Sequence, residues 1–242
     1  DTALRLGVID YIASPEEAVS DADFIILCTP VLSTVPTLEK IASHIKQGAL
    51  VTDAGSTKNE IVKAAQKIAG ESFVFIGSHP VAGTEKSGAS ASFETLFDGH
   101  KCIVTPTAGV PAGELEKLKS VWRAAGMEVV EMDPETHDRV MSAVSHLPHM
   151  AAYALVNTVC DENRADELIK FAAGGFKDFT RIAASSPEMW ADIAAANSKA
   201  LTELIGKMKT QLDEIESAIN EKNREKLLEI FKKSKNFREG LK

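Results

Sequence analysis

The sequence predicts an α/β protein in two parts: a doubly wound, largely parallel sheet over residues 1–133 and an all-helical domain over residues 134–242. Three observations carry this. Short apolar runs alternate with amphipathic stretches up to about residue 133; glycines follow the amphipathic stretches; and from Pro134 onward the strand-like runs stop.

In order along the chain, Phe24–Thr29 reads as a strand covered on both faces, and Ala49–Asp53 and Phe73–Gly77 read the same way. Cys102–Thr105 and Glu128–Met132 are two further strands. Helical stretches over 36–46, 57–69 and 111–125 fill the intervals. Gly48, Gly70 and Gly126 follow them, where a left-handed cap favours glycine. Pro134 opens a helical half that is broken at Gly174-Gly175 and at Ser185-Ser186-Pro187. From 201, Leu201, Leu204, Ile205, Met208, Leu212, Ile215 and Ile219 recur at spacings of three and four and make one apolar face. That face packs either within the chain or across an interface with a second copy.

Of the 242 residues, 44% are hydrophobic and 26% charged, with a formal net charge of −8. A binder of the nucleic-acid backbone needs a basic footprint, so no nucleic-acid partner is expected. Cys28, Cys102 and Cys160 are odd in number and match no zinc spacing, which excludes a disulfide framework and favours a reducing compartment. The apolar runs are too short to span a bilayer, and Asp1–Arg5 lacks the character of a signal peptide. The expectation is a cytoplasmic protein with no membrane partner.

Ligands of doubly wound sheets sit beyond the carboxyl ends of the strands. Three such ends stand out: Cys28-Thr29-Pro30-Val31, the run Asp53–Lys58, and the run Ser78–Gly88. With parallel strands, all three open onto one crevice. Thr29-Pro30 ends a strand with a residue that has no N–H. Ser56 is placed to cap the following helix, with Glu60 near the position of a capping-box acid, or to offer its hydroxyl to a ligand; the two roles can coexist. His79 directly follows an apolar strand and precedes Pro80, which holds it extended. A neutral imidazole there can take a proton from a substrate hydroxyl near neutral pH.

The helical half adds two clusters. His146 and His149 are three apart and share a helix face, but no further ligand sits at a metal-binding spacing. Polar contacts at a kinked helix suit His146, and substrate contact suits His149. In the run Gly174–Arg181, Lys177 and Arg181 are four apart, and Asp178 and Arg181 are three apart. A solvated surface face is one reading. The other takes the glycines as room for close approach and Arg181 as a clamp for a carboxylate, with Phe176 and Phe179 needing burial.

These runs together resemble the prephenate dehydrogenase family, which includes arogenate and cyclohexadienyl dehydrogenases. The carriers are Thr52–Lys58, His79–Gly88, Ser145–His149, Gly174–Arg181 and Pro187-Glu188-Met189-Trp190, in family order between about residues 22 and 197. The resemblance implies NAD- or NADP-dependent oxidative decarboxylation of prephenate to 4-hydroxyphenylpyruvate in tyrosine biosynthesis. It implies His79 as the catalytic histidine at the ring hydroxyl, with Ser56 assisting there and near the nicotinamide. Arg181 falls on a carboxylate-binding arginine. His149 and Glu85 fall on polar active-site positions, with Glu85 paired to Arg181, and Gly174 and Asp178 join the substrate side. Thr29, Pro30, Val31 and Asp53 fall along the cofactor crevice. No metal is implied, and a homodimer through the helical domain is.

One feature departs from the pattern. A Rossmann-type domain begins with a strand, a G-x-G-x-x-G turn and a helix, and no such turn occurs here. Leu4–Asp10 resembles the family just after its second strand, so the expectation is a partial Rossmann-type sheet lacking its first β-α-β unit. The residue that separates NAD from NADP goes with that unit. Arogenate in place of prephenate, another hydroxyacid dehydrogenase relying on a lysine in its helical part, and a dimeric binding module without a nucleotide site are the alternatives.

Overall fold

A computed structural model describes residues 2–83 and 88–241. They form two compact units, 1–198 and 199–242.

The first unit opens with two short helices, α1 (Thr2–Arg5) and α2 (Pro15–Val19). A reciprocal pair of bonds between Ser14 and Glu17 caps α2. Strands β1 (Phe24–Leu27), β2 (Leu50–Asp53) and β3 (Val74–Phe75) then pair in parallel, in the order β1-β2-β3. Helices α3 (Val31–Ile41) and α4 (Asn59–Ala69) are the crossovers. The helix expected from residue 36 begins at Val31 and carries Pro36 inside it. Its first residue therefore follows Thr29-Pro30 directly, at the carboxyl end of β1.

The expected strand 73–77 is two segments. After Ile76 the chain continues as β4 (Gly77–Pro80), which pairs antiparallel with β5 (Lys101–Thr105). β5 then pairs in parallel with β6 (Glu128–Glu131) across the helix α5 (Ala112–Ala124). The strands thus form an all-parallel three-stranded sheet, β1-β2-β3, and a mixed one, β4-β5-β6, where the sequence suggested one largely parallel sheet. The reason is the connection: the described part of 81–100 carries only a 3₁₀ turn at Ala89–Ala91, and a parallel return needs a full crossover. Run 74–80 joins the two halves, bonding to β2 first and to β5 afterwards.

Alternate residues feed two cores, as a doubly covered sheet requires. Val51 and Phe75 enter a cluster with Leu38 and Ile41 of α3 and Ile61, Val62 and Ala65 of α4. Leu50 and Ile76 face the other way, onto Leu118 and Trp122 of α5. β1 is a partial exception: on the face opposite Ile25 and Leu27, Phe24 packs against the second core but Ile26 is exposed. Gly77 has no spare room: a Cβ there would come within 2.7 Å of Val62, so α4 lies close against β4. The glycines expected as caps, Gly48, Gly70 and Gly126, have φ of 79°, 51° and 90°.

Beyond Asp133, which caps it through Thr136 N–H, α6 (Pro134–Met141) runs into a π-helical turn at Ser142–His146 and on into α7 (Leu147–Cys160). Helices α8 (Ala165–Leu168), α9 (Gly174–Thr180) and α10 (Pro187–Ala196) complete the unit. Trp190 and Ile193 of α10 fill the same core as α3 and α4, so the compact unit continues past residue 133.

Helix α11 (Ser198–Asn220) leads into the second unit, which ends with α12 (Arg224–Glu239). Of the apolar face on α11, Leu201 is buried whereas Leu212 and Ile219 are exposed. No helix among the described residues is long and apolar enough to cross a membrane.

Candidate active site

The carboxyl ends of β1 and β2 and the end of β4 lie side by side. Ala54 N–H donates to Leu27 O, which ties the β2 end to β1. Ser78 Oγ donates to Asp53 O at 2.6 Å, and Thr52 and Ser78 hydroxyls lie 2.9 Å apart. These bonds bring His79, the next residue of β4, alongside the loop Ala54–Lys58. His79 is therefore inside a strand, opposite Ile103, rather than just beyond one.

At the β1 end, the Thr29 hydroxyl lies 3.2 Å from that of Thr34, and Pro30 stands at the cap position of α3. Val31 turns into the core. Asp53 is fully buried, and its carboxylate accepts from Gly55 N–H and Lys58 Nζ. The Asp53 side chain thus faces inward and fixes the loop from within, where the resemblance set it along the crevice. Lys58 is also fully buried, and burial lowers its pKa against the opposing pull of Asp53. Removing one member of such a pair strands the other charge, a cost of roughly 3–5 kcal/mol.

Ser56 is half-buried and does not cap α4. That task falls to Asp138 of α6, whose Oδ1 accepts from Lys58 N–H at 2.7 Å and whose Oδ2 accepts from Asn59 N–H at 2.9 Å. A carboxylate at a helix N-terminus is favoured by the helix dipole as well as by these bonds. The Ser56 hydroxyl is thereby released from the capping role.

The same Asp138 leads back to the histidine. Asp138 Oδ1 lies 2.8 Å from His137 Nδ1, and His137 Nε2 lies 2.9 Å from His79 Nδ1. His137 is fully buried. Burial pushes the His79 imidazole well below its ordinary range, and repulsion from His137, Lys58 and His146 adds to this. Burial likewise lowers His137, opposed by its bond to Asp138. His137 and Asp138 belong to this cluster although nothing in the sequence singled them out.

The helical side presents His146, His149 and Trp190. The His149 ring stacks on Trp190 with centroids 3.6 Å apart, and the His146 ring meets Trp190 edge-on at 5.9 Å. His149 Nδ1–H donates to Ser145 O at 2.9 Å, which leaves Nε2 as an acceptor. His146 lies 3.3 Å from Asn197 Nδ2, which also donates to Asp138 O and Ser142 Oγ. Burial holds His146 at a pKa of about 4 and lowers His149 as well. The π-turn carries these polar contacts, as the kinked-helix reading of His146 required.

Arg181 opens a 3₁₀ turn after α9 and is exposed. The Asp178 carboxylate lies near the space over Gly174, where a Cβ would stand 3.8 Å from Oδ2. Phe179 was expected to be buried and is 45% exposed, and α9 has no buried residue. Glu85, with Thr84, Lys86 and Ser87, lies outside the described residues. No group of His, Cys, Asp or Glu among the described residues has the arrangement of a metal site.

The arrangement couples a buried, neutral imidazole to the carboxyl edge of a nucleotide-type sheet, which suits proton removal next to a bound cofactor. Residues 1–131 match the family model described as prephenate dehydrogenase, nucleotide-binding domain, and residues 133–233 match prephenate dehydrogenase, dimerization domain. Prephenate dehydrogenase of Bacillus subtilis is 40% identical over 242 residues, covering 99% of this chain and 65% of that protein. Cyclohexadienyl dehydrogenase of Zymomonas mobilis is 35% identical, covering 99% of this chain and 82% of that protein. The crystal structure of Aquifex aeolicus prephenate dehydrogenase with hydroxyphenyl propionate and NAD+ superposes with a TM-score of 0.90 at 38% identity, covering 100% of this chain and 85% of that one. Matched by family models along nearly its whole length, the chain belongs to the prephenate dehydrogenase family.

Proposed function

We propose that this chain carries the NAD- or NADP-dependent oxidative decarboxylation of prephenate to 4-hydroxyphenylpyruvate, with His79 as the general base. The observation that carries the reading is the buried His79 ring on the carboxyl edge of the sheet, beside the loop that bears Ser56. The Aquifex relative, whose crystal holds NAD+ and a hydroxyphenyl acid, supports it.

One feature fits a dinucleotide: the eleven-residue α3 starts after a three-residue turn past β1. Gly55 serves the packing of the loop itself, since a Cβ there would come within 2.8 Å of Asp53 Oδ2. Thr29, Pro30 and the 54–56 loop would line the nicotinamide end. When bound, a nicotinamide cofactor would supply the acceptor for the hydride of the ring carbon that bears the hydroxyl.

The chain's own residues handle the proton and the charges. His79 accepts the hydroxyl proton as the carbonyl forms, and Ser56 holds that oxygen. The bond to the ring carboxylate then breaks and carbon dioxide leaves; the freed electron pair makes the ring an aromatic phenolate, whose oxygen takes the proton back from His79. Arg181 binds a substrate carboxylate, helped by the Gly174–Asp178 segment and by Glu85. His149, held flat on Trp190, offers Nε2 to a substrate donor. General-base assistance of this kind is worth about 10²–10⁴-fold.

The functional division lies near residue 133 on this reading, with 1–133 holding the cofactor and 134–242 supplying substrate contacts and the contacts of a homodimer. The Zymomonas relative favours a second reading, in which arogenate is also used. Turnover of prephenate and arogenate by the purified protein with NAD and NADP tests both. Prephenate turnover lost in His79→Asn supports the assignment. Full activity of that variant, together with inactivation by Lys177→Ala, would transfer the chemistry to a lysine and defeat it.

A further inference from the structure

We propose that His137 and Asp138 are positioning residues which hold His79 in a single tautomer, proton on Nδ1 and lone pair on Nε2, and anchor it to the same carboxylate that fixes the Ser56 loop. The inference rests on the reading of His79 as the base and goes beyond it by naming what sets that base.

The polarity of the chain of bonds follows from its far end. Asp138 Oδ1 already accepts Lys58 N–H at 2.7 Å, and its partner oxygen accepts Asn59 N–H at 2.9 Å. His137 Nδ1, at 2.8 Å from Oδ1, must therefore carry a hydrogen, because two lone pairs at that distance repel. Burial keeps His137 from taking a second proton, so its Nε2 is unprotonated. The contact of 2.9 Å between His137 Nε2 and His79 Nδ1 then has one polarity: His79 donates and His137 accepts. Nε2 of His79 is left with its lone pair for the substrate proton. As that proton arrives, positive charge spreads along the two rings toward Asp138, whose own charge two backbone N–H groups and the α4 dipole already stabilise.

The geometry also has a mechanical consequence. One carboxylate holds the first turn of α4, which follows Ser56 by three residues, and through His137 it holds the His79 ring. Asn197 fixes the Asp138 backbone in turn, by donating to its carbonyl at 2.7 Å. Base and loop thus share one point of attachment.

The test is ¹⁵N NMR of histidine-labelled protein combined with kinetics of variants. In the unaltered protein, His79 should show a protonated Nδ1 and an unprotonated Nε2 at neutral pH. Asp138→Asn keeps one oxygen for the Asn59 N–H, and with its amide NH2 turned toward His137 it no longer accepts from Lys58 N–H or from His137 Nδ1. It should invert the His79 tautomer and lower kcat by about 100-fold or more, with KM for prephenate within about threefold. His137→Leu removes the acceptor and should lower kcat similarly. His137→Gln, which keeps an oxygen near the place of Nε2, should be at least about tenfold faster than His137→Leu. A His79 protonated on Nε2 in the unaltered protein would overturn the proposal, as would Asp138→Asn with unchanged tautomer and kcat. If Asp138→Asn does not fold, the unaltered spectrum and the two His137 variants decide. Full turnover by His79→Asn would instead remove the base itself while leaving the tautomer reading intact, so the two failures are distinguishable.

Discussion

At His79 the surroundings oppose a second proton on the ring. Burial acts first, and then His137, Lys58 and His146, all of which become or remain positive when protonated. A base works in its unprotonated form, so lowering its pKa extends activity toward acid. We expect kcat/KM to stay level from pH 8 down through 6.5, the ordinary histidine value, and to fall only below it. A pH–rate profile with its acid midpoint at 7 or above would contradict this. The histidine itself was legible in the sequence, since a lone His between an apolar run and Pro80 needs no partner to attract attention. Its supports were not. His137 is 58 residues away and Asp138 is 80 residues from the backbone amide that it caps, and no local pattern encodes a pairing at that range. Ser56 illustrates the same limit: a serine near a helix start with an acid four residues on suggests a local cap, yet a carboxylate from another helix takes the place.

At the scale of elements, the π-turn at Ser142–His146 determines which way two histidines point. It adds one residue to a turn of the continuous helix 134–160 and so offsets α6 from α7. On one side of it His137 and Asp138 meet β4 and α4, and on the other His149 stacks on Trp190. Deleting exposed Val144 should restore the α-register and rotate the two halves by roughly 100° relative to each other. Far-UV circular dichroism should stay helical while prephenate turnover drops by at least about tenfold. Undiminished turnover would mean the offset plays no part in the site. The strands were legible because apolar runs bounded by turn residues need little context. Harder was the break of 74–80 into a parallel and an antiparallel segment, which depends on where β5 lies and not on the run itself. α2 is different again: Ser14-Pro15-Glu16-Glu17 spells a capping box, but a five-residue helix offers too little periodicity to stand out.

For the molecule as a whole, the helical half leaves large apolar side chains on its surface. Leu212 and Ile219 are 54% and 56% exposed on the apolar face of α11, and Phe231 and Phe237 on α12 are 53% and 76% exposed. Scattered apolar residues on a surface need no explanation, but three large ones within 20 residues of a segment that matches a dimerization domain do. Burying each such side chain fully is worth about 1.5–3 kcal/mol. A symmetric contact counts every residue twice, so a few of them suffice to hold a pair together. Sedimentation equilibrium should accordingly give twice the chain mass of 26.0 kDa at micromolar concentration. Leu212→Glu with Ile219→Glu should shift the protein toward the monomer, since each charge would be carried into the contact without an opposite charge to meet it. A chain that sediments as a monomer before substitution would assign this face to some other contact, and the helical half would then have to be stable with its apolar face in water.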